Sequence, residues 1–435
     1  SLAPTSLDVW TEVRSVQNNE TGDKAGHSSS MTRDGSRIVI GAMRHKREGK
    51  SDVGAVRTYD LINGTVWILV DESLWGEYEH DQFGASVSIS GDGKKLAVGS
   101  PGYDVDNEES NVGKVYFYNI VDHVDDSSGM WEKYYQTLGN ETGGELGSSV
   151  SFDPDGYHLA IGAPYARNET GIVLVYMFAG NSTHGKWYKV GSSLVGSTPF
   201  DRFGWSVSLS AEGKHLAVGA PCKIGYVNIY SFNTEHDKWL LNGKTSTIAA
   251  FANETKRSTL QKVDDNIINA DYKFGLSISI SSDGTKLAVG APAFNATADN
   301  SNEGQVYLYN IEVVTDGSSK LLIEYHTITG DSEGARLGSS VSFSSHGYYL
   351  AIGSPNAPNE YNRKGSAQVF ILSGEIEKPK RIGDQVQGTS PFDLFGSSVS
   401  LSGTGKKLAV GAPDGSNGGY VTIFNYYNND KKSGT

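Results

Sequence analysis

Asp23, Asp81, Asp201 and Asp393 each stand three residues before a glycine that opens a recurring segment, at Gly26, Gly84, Gly204 and Gly396. Carboxylates repeated at one spacing suit two tasks. They can ring a cation or a basic side chain, or each can form an Asx turn by accepting hydrogen bonds from its own backbone. Trp205 directly follows Gly204, where other copies have Ala85, Ser148, Ser339 or Ser397. An indole there either offers a flat face to a sugar or peptide, or packs between two repeats. Phe200 and Phe392, in the twin motifs STPFD and TSPFD, would support such a platform.

Other groups carry weaker chemistry. Asp104, Asp106, Glu108 and Glu109 place carboxylates where one cation could use them, or they solvate an acidic loop. Arg44, His45, Lys46 and Arg47 form the one basic cluster, read as a solvated loop rather than an anion site. Cys222 is the single cysteine, so no internal disulfide is possible; it pairs between chains or stays a thiol. The sequence has no Gly-x-Ser-x-Gly, no metal-spaced His pair and no phosphate-binding Gly loop.

Across 435 residues the formal net charge is −13, which disfavours non-specific binding to nucleic acid or anionic lipid. No apolar run approaches the roughly 18 residues that span a bilayer, so direct membrane insertion is not expected. Seven Asn-x-Thr sequons occur, at Asn19, Asn63, Asn140, Asn168, Asn181, Asn253 and Asn295, and no Asn-x-Ser. This bias toward the better acceptor predicts a glycoprotein of the secretory pathway, extracellular or at the cell surface. The chain starts without a basic-then-apolar segment, so any leader is expected to have been removed or to lie outside this sequence.

The elements that must position these residues repeat seven times. Phe203 to Pro221 reads FGWSVSLSAEGKHLAVGAP: two apolar runs, a Gly-centred turn and a Gly-Ala-Pro exit. Copies begin at Ala25-Gly26, Phe83-Gly84, Leu146-Gly147, Phe274-Gly275, Leu337-Gly338 and Phe395-Gly396. Each continues into a Gly-x-Val strand, such as GKVYFY from Gly113, and then an amphipathic strand that usually carries Trp, near Trp131, Trp187 and Trp239. Leu321 and Lys380 begin degenerate versions of that last strand.

Four short alternating strands per repeat predict an all-β, seven-bladed β-propeller with four antiparallel strands per blade, spanning 1–435 as a single domain. Residues 7–16 form a strand with no repeat before it, and the last repeat lacks its outer strand. Joining the two closes the ring and removes an exposed edge. Residues 241–273 read as a long inter-blade insertion. Residues 428–435 read as a flexible tail or the stub of a linker in a longer chain or assembly.

These letters resemble the FG-GAP repeat of integrin α-chain propellers. Phe-Gly opens the repeat at 83–84, 203–204, 274–275 and 395–396, and Gly-Ala-Pro closes the second strand at 162–164, 219–221, 290–292 and 411–413. The resemblance implies that partners bind the face carrying the variable loops, those after Gly-Ala-Pro and before Phe-Gly. It also implies calcium loops between the first two strands. Here that connection is short, as in Gly91 to Lys95, with one carboxylate, whereas calcium takes six to eight oxygens. No cofactor is therefore expected at those turns, although calcium elsewhere stays possible. The expected function is adhesion, matrix or protein–protein recognition without catalysis, with an extracellular protein or glycan as partner. A glycan-binding lectin is the alternative, and a polysaccharide-active enzyme using side chains from several blades the third.

Overall fold

The computed structural model describes residues 9–17, 22–70, 73–105, 110–121, 130–180, 185–222, 225–233, 236–246, 272–295, 301–313, 320–357, 363–372 and 378–427. They form a seven-bladed β-propeller of small antiparallel sheets, four strands along each blade. Blade 2 shows the order: Ser86–Ile89 innermost, Lys95–Ser100 second, Lys114–Val121 third and Met130–Leu138 outermost. In the last blade the outer place is filled by Val9–Gln17, which pairs antiparallel with Tyr420–Tyr427 from Val9↔Tyr427 to Gln17↔Tyr420. The indole of Trp10, buried in this strand, donates to the carbonyl of Ile382 at 3.1 Å and so ties the closure to blade 6. Residues 7 and 8 of the expected closing strand, like 428–435, lie outside the described residues.

Two outer strands depart from expectation. That of blade 4 runs Lys238–Ser246 and pairs with Tyr226–Asn233 throughout, so the stretch read as an insertion from Leu241 begins inside a strand. Leu240 and Leu241 pair with Ser231 and Tyr230, and the pairing resumes at Ile229↔Gly243 after a bulge that leaves Asn242 as the extra residue. Residues 247–271 of that stretch lie outside the described residues. Lys320–Thr329, read as degenerate, is a full strand along Gln305–Val313. In blades 1, 3 and 6 the outer strand is split instead, as Lys186–Lys189 then Leu194–Val195 in blade 3 and Lys380–Arg381 then Val386–Gln387 in blade 6.

The core lies between blades. Phe117 and Val115 of blade 2, for example, pack with Leu159, Ile161 and Trp187 of blade 3. At every junction the opening Phe-Gly is gripped by glycines of the preceding blade. A Cβ on Gly99 would lie 2.0 Å from the carbonyl oxygen of Gly147 in the next blade, and the same approach, 2.0–2.2 Å, recurs at Gly41, Gly162, Gly219, Gly290, Gly353 and Gly411. A Cβ on Gly171, which opens the third strand, would meet the Phe203 carbonyl at 2.0 Å. That same opening-glycine carbonyl accepts a serine hydroxyl. Ser28, Ser86, Ser149, Ser206, Ser277, Ser340 and Ser398 each donate to the next blade's opening glycine at 2.7–2.9 Å, and Ser398 to Gly26 completes the circle. Each bond contributes about 1 kcal/mol net.

The inner hairpin turns sit on the opposite, lower face. Gly93 takes φ +73° after a turn closed by its N–H on the Ser90 carbonyl, while the Asp92 carboxylate accepts from Ser90 Oγ and Lys94 N. Neighbouring turns are joined by backbone bonds: Arg33 to Gly91, Gly91 to Pro154, Ala211 to Ser282, Ser282 to Ser345, Ser345 to Gly403 and Gly403 to Arg33. One link is missing. Pro154 has no N–H to give to blade 4, and the Glu212 N–H reaches back to the Asp155 carboxylate at 3.2 Å instead.

Gly99→Ala is expected to cost about 2 to 3 kcal/mol, because its methyl would strike backbone rather than a side chain that can move. Ser86→Ala should cost about 1 to 2 kcal/mol by leaving the Gly147 carbonyl short of a donor. Denaturant unfolding of both variants measures this, and a Gly99→Ala protein as stable as wild type would contradict the junction described.

Candidate functional site

The innermost strands leave an axial channel. On the upper face it opens into a cavity of about 250 Å³. One residue per blade lines its rim, the one following the opening glycine: His27, Ala85, Ser148, Trp205, Leu276, Ser339 and Ser397. The hydroxyls of Ser148, Ser339 and Ser397 donate to the carbonyls of Glu145, Arg336 and Leu394 at 2.8, 2.8 and 2.7 Å. His27 reaches solvent, but solvent confined within the mouth. That desolvation, with Lys24 and Arg44 nearby, pushes its imidazole down to about 4.

The four spaced aspartates are buried beneath this rim. Asp201 accepts from Thr198 N at 2.8 Å and Thr198 Oγ1 at 2.7 Å, and Tyr226 Oη donates to it at 3.1 Å. Asp393 repeats the arrangement with Thr389, Ser390 and Tyr420, whose Oη donates at 2.6 Å. Burial, then the bond to Asp393, pushes the Tyr420 phenol up to about 12. Asp81 Oδ2 likewise takes the N–H groups of Glu77 and Tyr78, at 2.7 and 2.8 Å. Its place for a tyrosine is held by Lys114, which turns to Glu77 at 2.9 Å, so Asp81 Oδ1 is buried without a hydrogen-bond partner. Asp23 lies 2.6 Å from His45 Nδ1 of the basic cluster, and that imidazole is buried against Trp75. These carboxylates bind the loops they belong to.

Trp205 stands half-buried at the rim between blades 3 and 4, where it meets two residues that sequence reasoning did not single out. Tyr165, just after the Gly-Ala-Pro of blade 3, lies 6.3 Å from it between ring centres. The Arg202 guanidinium lies 4.8 Å from the Tyr165 ring and 6.0 Å from the Trp205 ring. Arg202 Nε and Nη2 both reach Glu169 Oε2, at 2.9 and 2.8 Å. Half-buried Cys222 neighbours this group.

A signal for these residues was available in the chain itself. Blades 3 and 6 share the split outer strand, the loops STPFD and TSPFD follow them, and Tyr226 and Tyr420 bond the two aspartates alike. Blades 2–4 and 5–7 therefore form two matching triplets. At the second copy Leu394, Ser397, Asn356 and Arg363 stand where the first has Arg202, Trp205, Tyr165 and Glu169. The fold is satisfied by either set.

Phe200 and Phe392, at the tips of these twin loops, are exposed by 50% and 56% and sit in left-handed backbone at φ +67° and +68°. His80 holds the equivalent place before Asp81 at φ +65°. A bulky residue there costs about 1 to 2 kcal/mol relative to ordinary backbone. Of the sequons, Asn63, Asn140 and Asn168 are exposed, and Asn295 is half-buried with its Oδ1 accepting from Asn302 N at 2.9 Å. Asn19, Asn181 and Asn253 lie outside the described residues, as do Asp106, Glu108 and Glu109. Asp104 Oδ1 closes its own loop by accepting from Ser110 N and Asn111 N, at 2.9 and 2.6 Å. Among the described residues no group of three or more His, Cys, Asp or Glu is placed to hold a metal ion.

A family model described as FG-GAP repeat matches residues 77–118, from the EYEHD loop through most of the third strand of blade 2. No curated protein matches the chain. The repeat and the seven blades together fit an integrin α-like FG-GAP propeller, an architecture that suggests a protein–protein binding module. Among the described residues no helix is long and apolar enough to cross a membrane.

Burial raises Asp81 from its ordinary 3.8 to about 6, against the pull of the Tyr78 and Glu77 N–H groups. An acid whose folded value is raised favours folding when protonated. Its contribution is present in full below the ordinary value and lost as pH rises through about 6. Relative to Asp81→Asn, wild type should therefore gain thermal stability as pH falls from 7 to 5; a difference independent of pH would remove Asp81 as the cause.

Proposed function

We propose that the chain is a secreted or cell-surface glycoprotein whose upper, loop-bearing face recognises an extracellular partner, in adhesion or matrix assembly, by contact alone. The observation that carries this reading is the pair of phenylalanines held in solvent by strained backbone, one on each copy of a duplicated loop. Strain of this kind persists where function or surrounding structure demands it, and among the described residues about half of each side chain is open to solvent. Trp205 adds a third aromatic surface on the same face. Asp81, Asp201 and Asp393 serve this face by fixing the shape of its loops, and the ligand meets the side chains those loops present. The bias of the sequons toward Asn-x-Thr supports passage through the secretory pathway.

Two measurements test the proposal. Protein recovered from its native source should lose mass in several steps on glycosidase treatment; an unchanged mass overturns the secretory reading. Phe200→Gly with Phe392→Gly should be as stable as wild type or about 1 kcal/mol more stable, since glycine removes the left-handed strain. The same double variant should lose photo-cross-linking to surface proteins of the source cells. Retained cross-linking would overturn the role of this face.

A further inference from the structure

The rim of the axial mouth carries chemistry that the propeller does not need. Trp205 has its indole N–H unengaged among the described residues, and it faces a cavity whose other rim positions are mostly small. The rim serines direct their hydrogens to backbone carbonyls, which leaves oxygen lone pairs to accept from a ligand's hydroxyls. Arg202 does not itself line the cavity but stands beside Trp205, 6.0 Å from its ring; it spends Nε and Nη2 on Glu169, which leaves Nη1 for a carboxylate held at the edge of the mouth. The residues two before the opening glycines are Lys24, Gln82, Glu145, Arg202, Lys273, Arg336 and Leu394, all in left-handed backbone and four of them basic. Arg44 adds to the field at His27, and neither it nor Arg336 has a carboxylate partner among the described residues. Of the four basic residues, Lys24 is paired with Asp414 and Arg202 with Glu169, and the four buried aspartates lie beneath, so the basic groups stand among carboxylates.

We propose that the mouth binds one carboxylated sugar ring, a uronic-acid unit of a glycan, stacked on Trp205 with its carboxylate on Arg202. A flat aromatic face, one indole donor, a wall of hydroxyl acceptors and an arginine fork match a polyhydroxylated ring that bears one negative charge. The mouth is small enough to take a single ring rather than a longer ligand in cross-section. This site rests on the reading of the upper face as a recognition surface, and it would engage the glycan of a partner or of the matrix.

The duplicated triplet supplies substitutions that the fold already accepts: Trp205→Ser and Arg202→Leu install the residues found at Ser397 and Leu394. Protein trimmed of its own N-glycans is titrated with a glucuronate oligomer and with the matching glucose oligomer, following indole fluorescence and heat. Wild type should bind the acidic oligomer more tightly than the neutral one. Trp205→Ser should weaken both by about tenfold or more, equivalent to about 1.4 kcal/mol. Arg202→Leu should abolish the preference for the acid, bringing the ratio of the two affinities to about one. No binding of either oligomer by wild type, or Trp205→Ser binding as wild type does, overturns the proposal. If the sugars fail while the paired Phe200 and Phe392 substitutions still abolish cross-linking, the inference falls and the recognition face stands. If both fail, the face falls too.

Discussion

The carbonyl of each blade's opening glycine is the contact on which the ring depends. It lies against the Cα of a glycine in the second strand of the preceding blade and accepts a hydroxyl hydrogen from that blade's innermost strand. A side chain on the second-strand glycine would push the carbonyl away, and losing the serine would leave it short of a donor. The opening Phe, or Ala25 in blade 1 and Leu in blades 3 and 6, is buried by the same approach, and a third glycine clears space for its backbone. Phe-Gly and Gly-Ala-Pro are thus the two halves of one interface, written in neighbouring blades and read together. Because the contact joins blades rather than strands within a blade, it sets the angle between sheets. The first blade meets the last through the same contact, at Ser398 and Gly26.

This division of labour frees the upper face. Junction chemistry occupies glycines, serines and the buried Phe or Leu, so residues on either side of the opening dipeptide can vary without loosening the ring. The two triplets show how far. One sets Tyr165 and Arg202 beside Trp205 at the mouth, and the other has a buried Asn356, Leu394 and Ser397 at the same backbone positions. Aspartates at the loop bases are common to both, with a tyrosine hydroxyl on each. Blade 2 departs from them by using Lys114 where they use tyrosine, and its Asp81 is left with an unpaired oxygen in a buried place.

Most of the architecture could be read from the chain because its period, turns and strand alternation are local properties. Seven copies, the split of Phe-Gly from Gly-Ala-Pro and the closing N-terminal strand all follow from that. The role of the serines could not be read so, since each finds its partner in the next blade; composition made them merely small. Tyr165 and Arg202 were missed for the same reason, being distant in sequence and joined only across a junction. Trp205 was visible because it breaks a column of small residues. The spaced aspartates were visible as a pattern, but spacing alone left open whether they faced the channel or their own loops. At Leu241 the misreading had another source: two adjacent leucines interrupt the alternation, and a bulge at Asn242 of the same strand follows them.

The proline in the lower circuit has a mechanical meaning. Six of the seven junctions between neighbouring turns are linked backbone to backbone, and Pro154 opens the circuit between blades 3 and 4, leaving a bond that runs through the side chain of Asp155. Those two blades also flank Trp205 and Arg202 on the upper face. The one break in the lower circuit thus falls at the junction that carries the Tyr165, Arg202 and Trp205 cluster. Its inner contacts are intact, with Ser149 Oγ on the Gly204 carbonyl and the Leu209 N–H on Ser151 Oγ, so what the proline removes is confined to the lower face, beneath the site of the recognition chemistry.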